Sequence, residues 1–236
     1  MGRRQFAVHR WLTALVSVQL FLWSLGGLVF ATHDLDWVHG DKGRDRTPAS
    51  AIDFSQVRLS PSQATAEVFS LGADEARTVV LRTLLGRPVY EVRAAERVGI
   101  VDAASGEVLS PLREHDARAL AIADRLGETP VRSADLLMAD PPTEYRGGDL
   151  PAWRVVLDDV DHTHIYVDAN TGRITARRND AWRRFDFFWM LHTMDYRGRD
   201  DFNTTLLTVF AALGMSAVIS GWVLWGARLR RRWRRH

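Results

Sequence analysis

Two stretches of the chain carry no charged residue, residues 11–32 and residues 202–227. At 22 and 26 residues, each exceeds the roughly 20 apolar residues that a helix needs to cross a bilayer core of about 30 Å. Both therefore predict transmembrane helices. Between them the apolar positions switch to short alternating runs bounded by Gly, Pro and Ser, the pattern of strands and turns. Residues 33–59 are polar, contain Gly40, Gly43 and Pro48, and read as a linker.

A repeated unit follows. Ser60-Pro61-Ser62-Gln63 has the form of an N-cap, a proline at the first helical position and a capping-box glutamine. It predicts a short helix to about Ser70. Strand-like runs follow at 78–85, 89–94 and 98–102, and the last resumes at 107–109 after Ala103-Ala104-Ser105-Gly106. Gly106 suits the left-handed position of a type I turn with a G1 bulge. Ser110-Pro111 then resembles a second helix start, with apolar Leu112, Leu120, Ile122 and Leu126 behind it. Pro151-Ala152-Trp153-Arg154-Val155 repeats Pro88-Val89-Tyr90-Glu91-Val92. Val167-Asp168-Ala169-Asn170-Thr171-Gly172 repeats Val101-Asp102-Ala103-Ala104-Ser105-Gly106. Each copy reads as a helix followed by an antiparallel meander, 60–109 and 110–178. Copies this short predict sheets or helices that pack together to bury enough surface. The fold class expected is α+β, with two transmembrane helices flanking the tandem domain.

Charge sharpens this picture. The formal net charge is only +2, from 31 basic and 29 acidic residues. The ends, 1–10 and 228–236, hold nine arginines and no acid, so the middle carries −7. Arg-rich flanks stay in the cytoplasm. Both termini are therefore expected inside, and residues 33–201 outside. Trp11, Trp222, Trp225 and Trp233 fall near one boundary, and Trp37, Trp182 and Trp189 near the other, as the aromatic belt predicts. Val29-Phe30-Ala31 resembles a signal-peptidase site, but the first apolar run exceeds the usual 7–15 residue core of a signal peptide, so retention as an anchor is expected. Arg outnumbers Lys 30 to 1, which points to a GC-rich bacterial genome and so to a bacterial inner membrane. The absence of cysteine excludes disulfides, thiolate zinc sites, iron–sulfur clusters and covalently attached haem.

In His9-Arg10-Trp11-Leu12, in Pro151 to Val155 leading to Ile165-Tyr166-Val167-Asp168-Ala169-Asn170-Thr171-Gly172, and in Trp189-Met190-Leu191-His192-Thr193-Met194-Asp195-Tyr196, the chain resembles the PepSY-associated transmembrane family. The resemblance covers most of the chain. It implies a bacterial inner-membrane protein with a periplasmic PepSY portion. Some relatives look like siderophore-iron or other reductases passing electrons through b-type haem, and others are protease propeptides or inhibitory modules. Two spans, rather than four or more, depart from the reductase-like members and their self-contained electron path. The function expected is an accessory or electron-transfer component of a membrane reductase system, with haem b as cofactor. The alternative is a membrane-anchored binding or regulatory module. Expected partners are the lipid bilayer and a reductase subunit or a second copy, with no nucleic acid, because the basic tail needs only the positive-inside rule.

Of eight histidines, only His9, His33 and His192 lie near a span, and these are the candidate haem ligands. His9 and His192 cannot share a haem across a helix of roughly 33 Å. Either His33 and His192 share one, or a homodimer pairs His9 with its copy inside and His192 with its copy outside. The competing reading makes them interfacial residues at headgroup depth. His162 and His164 are expected to alternate on a strand face with no third metal ligand, and Asp158-Asp159-Val160-Asp161 to form a hairpin turn. Residues 180–196 read as an interfacial amphipathic helix, with Trp182, Phe185, Trp189 and His192 in a stripe beside snorkelling Arg183 and Arg184. Small residues at Ala212, Ser216, Ser220, Ala217 and Gly221 suggest close helix packing. No catalytic nucleophile, P-loop or dinucleotide fingerprint is present.

Overall fold

The computed structural model describes residues 3–48, 50–69, 78–95 and 97–233. Ser70, Arg234, Arg235 and His236 lie outside them. The chain divides into a sheet unit, Leu35–Arg183, and a helical unit, Met1–Asp34 with Arg184–His236.

The sheet unit opens with a one-turn helix, Leu35–Val38, and its first repeat begins at the helix Pro61–Phe69.

 In chain order, after α1 (Arg3–Thr32) of the helical unit, that one-turn helix is α2 (Leu35–Val38) and the repeat helix is α3. Ser60 and Gln63 cap α3 reciprocally: Ser60 N donates to Gln63 Oε1 at 2.8 Å and Gln63 N to Ser60 Oγ at 3.3 Å. β1 (Thr78–Leu84), β2 (Arg87–Ala94) and β3 (Arg97–Asp102) then form a three-stranded antiparallel sheet. The second copy consists of α4 (Glu114–Ala123) and a four-stranded antiparallel sheet of β4 (Val131–Leu137), β5 (Ala152–Leu157), β6 (His164–Asp168) and β7 (Ile174–Arg178).

The repeat holds down to single hydrogen bonds. In the first copy Asp102 Oδ1 accepts from the backbone N–H groups of Ala104 and Ser105, and Gly106 N donates to Asp102 O. In the second, Asp168 Oδ1 accepts from Asn170 and Thr171, and Gly172 N donates to Asp168 O. Gly106 and Gly172 both have positive φ, +79° and +70°, the left-handed position that the bulged turn requires. The bridge Val101↔Val108 matches the pair Val167↔Ile174. The first copy thus stops at one bridge where the second continues into β7.

Two separate sheets share one apolar core. Leu84, Val89 and Ile100 of the first copy are buried in one cluster with Ala117 and Ala121 of α4 and with Val155, Ile165 and Val167 of the second. Burying each Val or Ile contributes about 1.5–3 kcal/mol. The opposite face of the first sheet, Tyr90, Val92 and Val101, packs on Ala64 and Val68 of α3. A side chain at Gly99 would come within 2.6 Å of Val68, so glycine sets how closely α3 approaches β3. Both faces of β2 are covered, which explains its nearly continuous burial.

Three details depart from the sequence pattern. Ser110 does not start the second helix. α4 begins at Glu114, and Ser110 Oγ instead accepts from Ile100 N and donates to Asn170 O, joining the copies. β4 has no counterpart in the expected strands, because its Val131-Arg132-Ser133-Ala134 opening lacks clean alternation. The 33–59 linker is tied down within the sheet unit. Asp45 N donates to Asp124 O, Leu126 N to Gly43 O, and Arg58 and Leu59 N to Ala103 O. Asp124, at the end of α4, accepts a short two-pronged hydrogen bond from Arg177. Polar composition marks such a segment as loop, and only tertiary contacts make it a strap.

In the helical unit α1 packs with α6 (Thr205–Trp233). Both are long and apolar enough to cross a membrane. Most of their apolar side chains are exposed, among them Leu15, Val18, Phe21, Val209 and Val218, unlike the core helix of a water-soluble domain. Gly214 and Ala217 form the buried contact face of α6, and Gly221 lies against the His9 ring. Ala212 and Ser216, on the other small-residue row, are exposed. The helix α5 (Asp180–Thr193) contributes its residues from Arg184 onward to this unit.

Candidate functional site

On the far face of the second sheet a polar network surrounds one carboxylate. Glu144 sits in a short 3-10 turn, Thr143–Tyr145, within the β4–β5 connection. Its Oε1 accepts from Tyr166 OH at 2.6 Å and is 2.5 Å from His164 Nδ1, while Oε2 accepts from Arg183 Nε at 2.9 Å. Arg178 Nε donates to the Glu144 backbone carbonyl. The Tyr145 and Tyr166 rings stack at 4.2 Å, nearly parallel. Tyr145 OH also shares a hydrogen bond with Thr175 Oγ1.

Burial opposes charge on Glu144, but hydrogen bonds from His164, Tyr166 and Arg183 outweigh it and hold the carboxyl down to about 2. Burial, and then the neighbouring Glu144 carboxylate, push the Tyr166 hydroxyl up. Glu144 is therefore an acceptor at neutral pH and Tyr166 a donor.

The network continues into the first turn of α5. Arg183 Nη1 donates to Asp180 Oδ1 and to the His162 carbonyl, and Asp180 Oδ2 lies 2.8 Å from His162 Nδ1. The bond with His162 lowers the Asp180 carboxyl most, ahead of that from Arg183. Asn179 accepts from Trp182 N as the helix cap. Trp182 packs beneath Arg178, whose guanidinium carbon is 4.3 Å from the ring centre, and Arg146 approaches the same ring.

Two expectations need correction here. His162 does not alternate with His164 on a strand. It lies in the turn before β6 with φ +48°, and the two rings meet different carboxylates. Arg183 is not a free snorkelling side chain, because Asp180 and Glu144 hold it. The 158–161 cluster does form a turn, in which Asp159 Oδ1 accepts from Thr163 N. Glu144 carries no sequence signal. It is one acid in a polar loop, and its partners are 20, 22 and 39 residues away.

The three membrane-proximal histidines take different places in the helical unit. His9 Nδ1 shares a hydrogen bond with Ser220 Oγ at 2.6 Å, in the α1–α6 seam. His33 Nδ1 lies 2.8 Å from the Val29 carbonyl, the kind of contact that orients a ligating imidazole through its other ring nitrogen. His192 Nδ1 is buried without a hydrogen-bond partner, and its ring lies against Trp23 and Phe30. His9 lies in α1 and His33 just past its end, 24 positions on and about 36 Å away, so His9 cannot join the other two. A haem held by two imidazoles fits His33 and His192 by donor chemistry. No hydrogen bond or ring contact links them among the described residues.

The aromatic stripe of α5 faces α1. Phe185 and Trp189 pack on Phe30, Trp23 Nε1 donates to the His192 carbonyl and Gln19 Nε2 to that of Leu191. Residues ascending α1 meet residues descending α5, so the helices run antiparallel here. Beyond α5, the Asp195 carboxylate gathers the turn by accepting from the N–H groups of Asp201, Gly198, Arg197 and Asp200. These bonds, that from Asp201 foremost, lower its carboxyl to about 2.

No curated protein and no solved structure matches the chain. The model of the PepSY-associated TM region matches residues 6–236, and the chain, an α+β membrane protein with two candidate spans flanking antiparallel sheets, belongs to the PepSY-associated transmembrane family.

Proposed function

We propose that the protein is a membrane-anchored regulatory or binding module, with its tandem PepSY unit in the bacterial periplasm and both termini in the cytoplasm. The observation that carries this reading is α5. Its first turn belongs to the Glu144 network of the sheet unit, and its last turns pack on α1 of the helical unit. One continuous helix with a locked first turn can transmit a change in the sheet unit to the membrane helices. The edge strand β4, with exposed Leu136, supplies backbone groups for a partner segment.

Hydrogen exchange on the full-length protein in nanodiscs tests the coupling. Arg183→Ala is expected to raise exchange throughout 184–193. A change confined to 180–183 would reduce α5 to a plain tether. Alkaline phosphatase and green fluorescent protein fusions at the C-terminus and within the sheet unit test the orientation.

A second reading is favoured by the partnerless ring nitrogen of His192. In it the protein is an accessory electron-transfer component of a membrane reductase system, related to iron or siderophore handling. His33 and His192 would hold a b-type haem, and a bound haem would supply one-electron transfer. A Soret band after haem-replete expression, lost in His192→Ala, is expected on this reading. A colourless preparation leaves the regulatory module alone.

A further inference from the structure

We infer that the arginine-bearing end of α6 is a binding site for one anionic phospholipid, rather than only a topological signal. Ile219, Trp222, Val223, Gly226, Arg230 and Arg231 line an open cleft of about 670 Å³ on one face of the helix. Their spacing of three and four residues aligns them along the helix axis. Along that face Ile219 comes first, then Trp222 and Val223, then the small residues Gly226 and Ala227, then the arginines. That succession matches the order of a lipid from acyl chain through glycerol to phosphate.

Gly226 is the informative residue. It is helical, so no left-handed backbone requires glycine, and a side chain placed there would meet nothing within 4 Å. Glycine inside a helix costs stability relative to alanine. Gly214 and Gly221, by contrast, face Leu20 and His9 of α1, so their smallness serves helix packing. The space over Gly226 is unused by the described chain and lies where the uncharged run gives way to arginines. Trp222 beside it is 72% exposed, an aromatic edge suited to the glycerol and headgroup layer.

Charge selects the occupant. Arg228, Arg230, Arg231 and Arg232 fall within five residues, and no acidic residue follows Asp201. Guanidinium groups bind phosphate through paired N–H donors. A zwitterionic lipid brings its own cation into the same place. An anionic lipid such as phosphatidylglycerol does not, and it gains the full attraction.

The test uses the full-length protein in nanodiscs of equal phosphatidylcholine and phosphatidylglycerol, with retained lipids counted by native mass spectrometry. Phosphatidylglycerol is expected to be retained over phosphatidylcholine. Arg230→Ala with Arg231→Ala should lower that preference by about fivefold per arginine, roughly 25-fold for both. Gly226→Leu fills the cleft without changing charge or weakening the helix, and should also abolish the preference. Removing equal charge further along the tail, at Arg234 and Arg235, should have a clearly smaller effect. The proposal is overturned if the wild type shows no preference, if Gly226→Leu leaves it intact, or if the two arginine pairs act equally. A dimer that Gly226→Leu dissolves, with no retained lipid, would assign the cleft to a second copy instead.

Discussion

The two repeats of the sheet unit build the same bulged hairpin and then treat its far side differently. In the first copy α3 covers the sheet with small apolar groups, Ala64 and Val68. In the second, α4 lies on the shared core, and the opposite face carries stacked tyrosines and the Glu144 network. The first copy is therefore closed by hydrophobic contact. The second is closed by directional hydrogen bonds that lead into α5. A repeated backbone does not imply repeated chemistry, because the chemistry depends on what covers each face.

The sharpest way to break this contrast is Glu144→Ala. It removes the acceptor shared by Tyr166, His164 and Arg183 Nε in a half-buried site, and should cost about 3 kcal/mol in thermal unfolding of the full-length protein in micelles. Glu144→Gln adds a pH signature. The carboxyl of Glu144 is lowered from 4.5 to about 2 on folding. Its contribution is therefore complete above pH 4.5 and is lost as pH falls towards 2. The wild type should lose its advantage over Glu144→Gln within that window. Parallel curves across it would remove Glu144 from the ionised network.

The paired glycines give the next largest effect. Gly106→Ala pays for its left-handed backbone, about 1 kcal/mol. Gly172→Ala meets the same strain and also approaches Leu84, Leu112 and Leu120 at 3.0–3.3 Å, so it should cost about 2 kcal/mol. Equal losses would show that the second hairpin does not press on the shared core. In the first copy, Ser60→Ala removes the cap of α3 and should cost about 1 kcal/mol, no more than Gly106→Ala. Hydrogen exchange should place that loss in 61–69 and leave β5–β7 unchanged.

Local signals were legible where a single turn or run suffices. The capping box at Ser60, the left-handed glycines and the two uncharged runs each depend on neighbours a few residues away. Ser110-Pro111 has the residues of a helix start, yet Ser110 Oγ is engaged by Ile100 and Asn170 instead. Of the packing row on α6, Ala217 and Gly221 were visible as small residues, but the exposed Ala212–Ser216 row looks the same in sequence. Spacing alone cannot say which row faces a neighbour.

The sequence alone determined the two spans, the segregation of charge, the repeat and its bulged turns, because each follows from backbone geometry or the length of an apolar run. Tertiary structure decided the rest: two sheets on one core rather than a single sheet, Arg183 paired with Glu144 rather than free, and His192 enclosed by Trp23 and Phe30. These choices join residues tens to more than a hundred positions apart. They depend on which faces remain to be covered once the local elements have formed, and no short window of sequence carries that information.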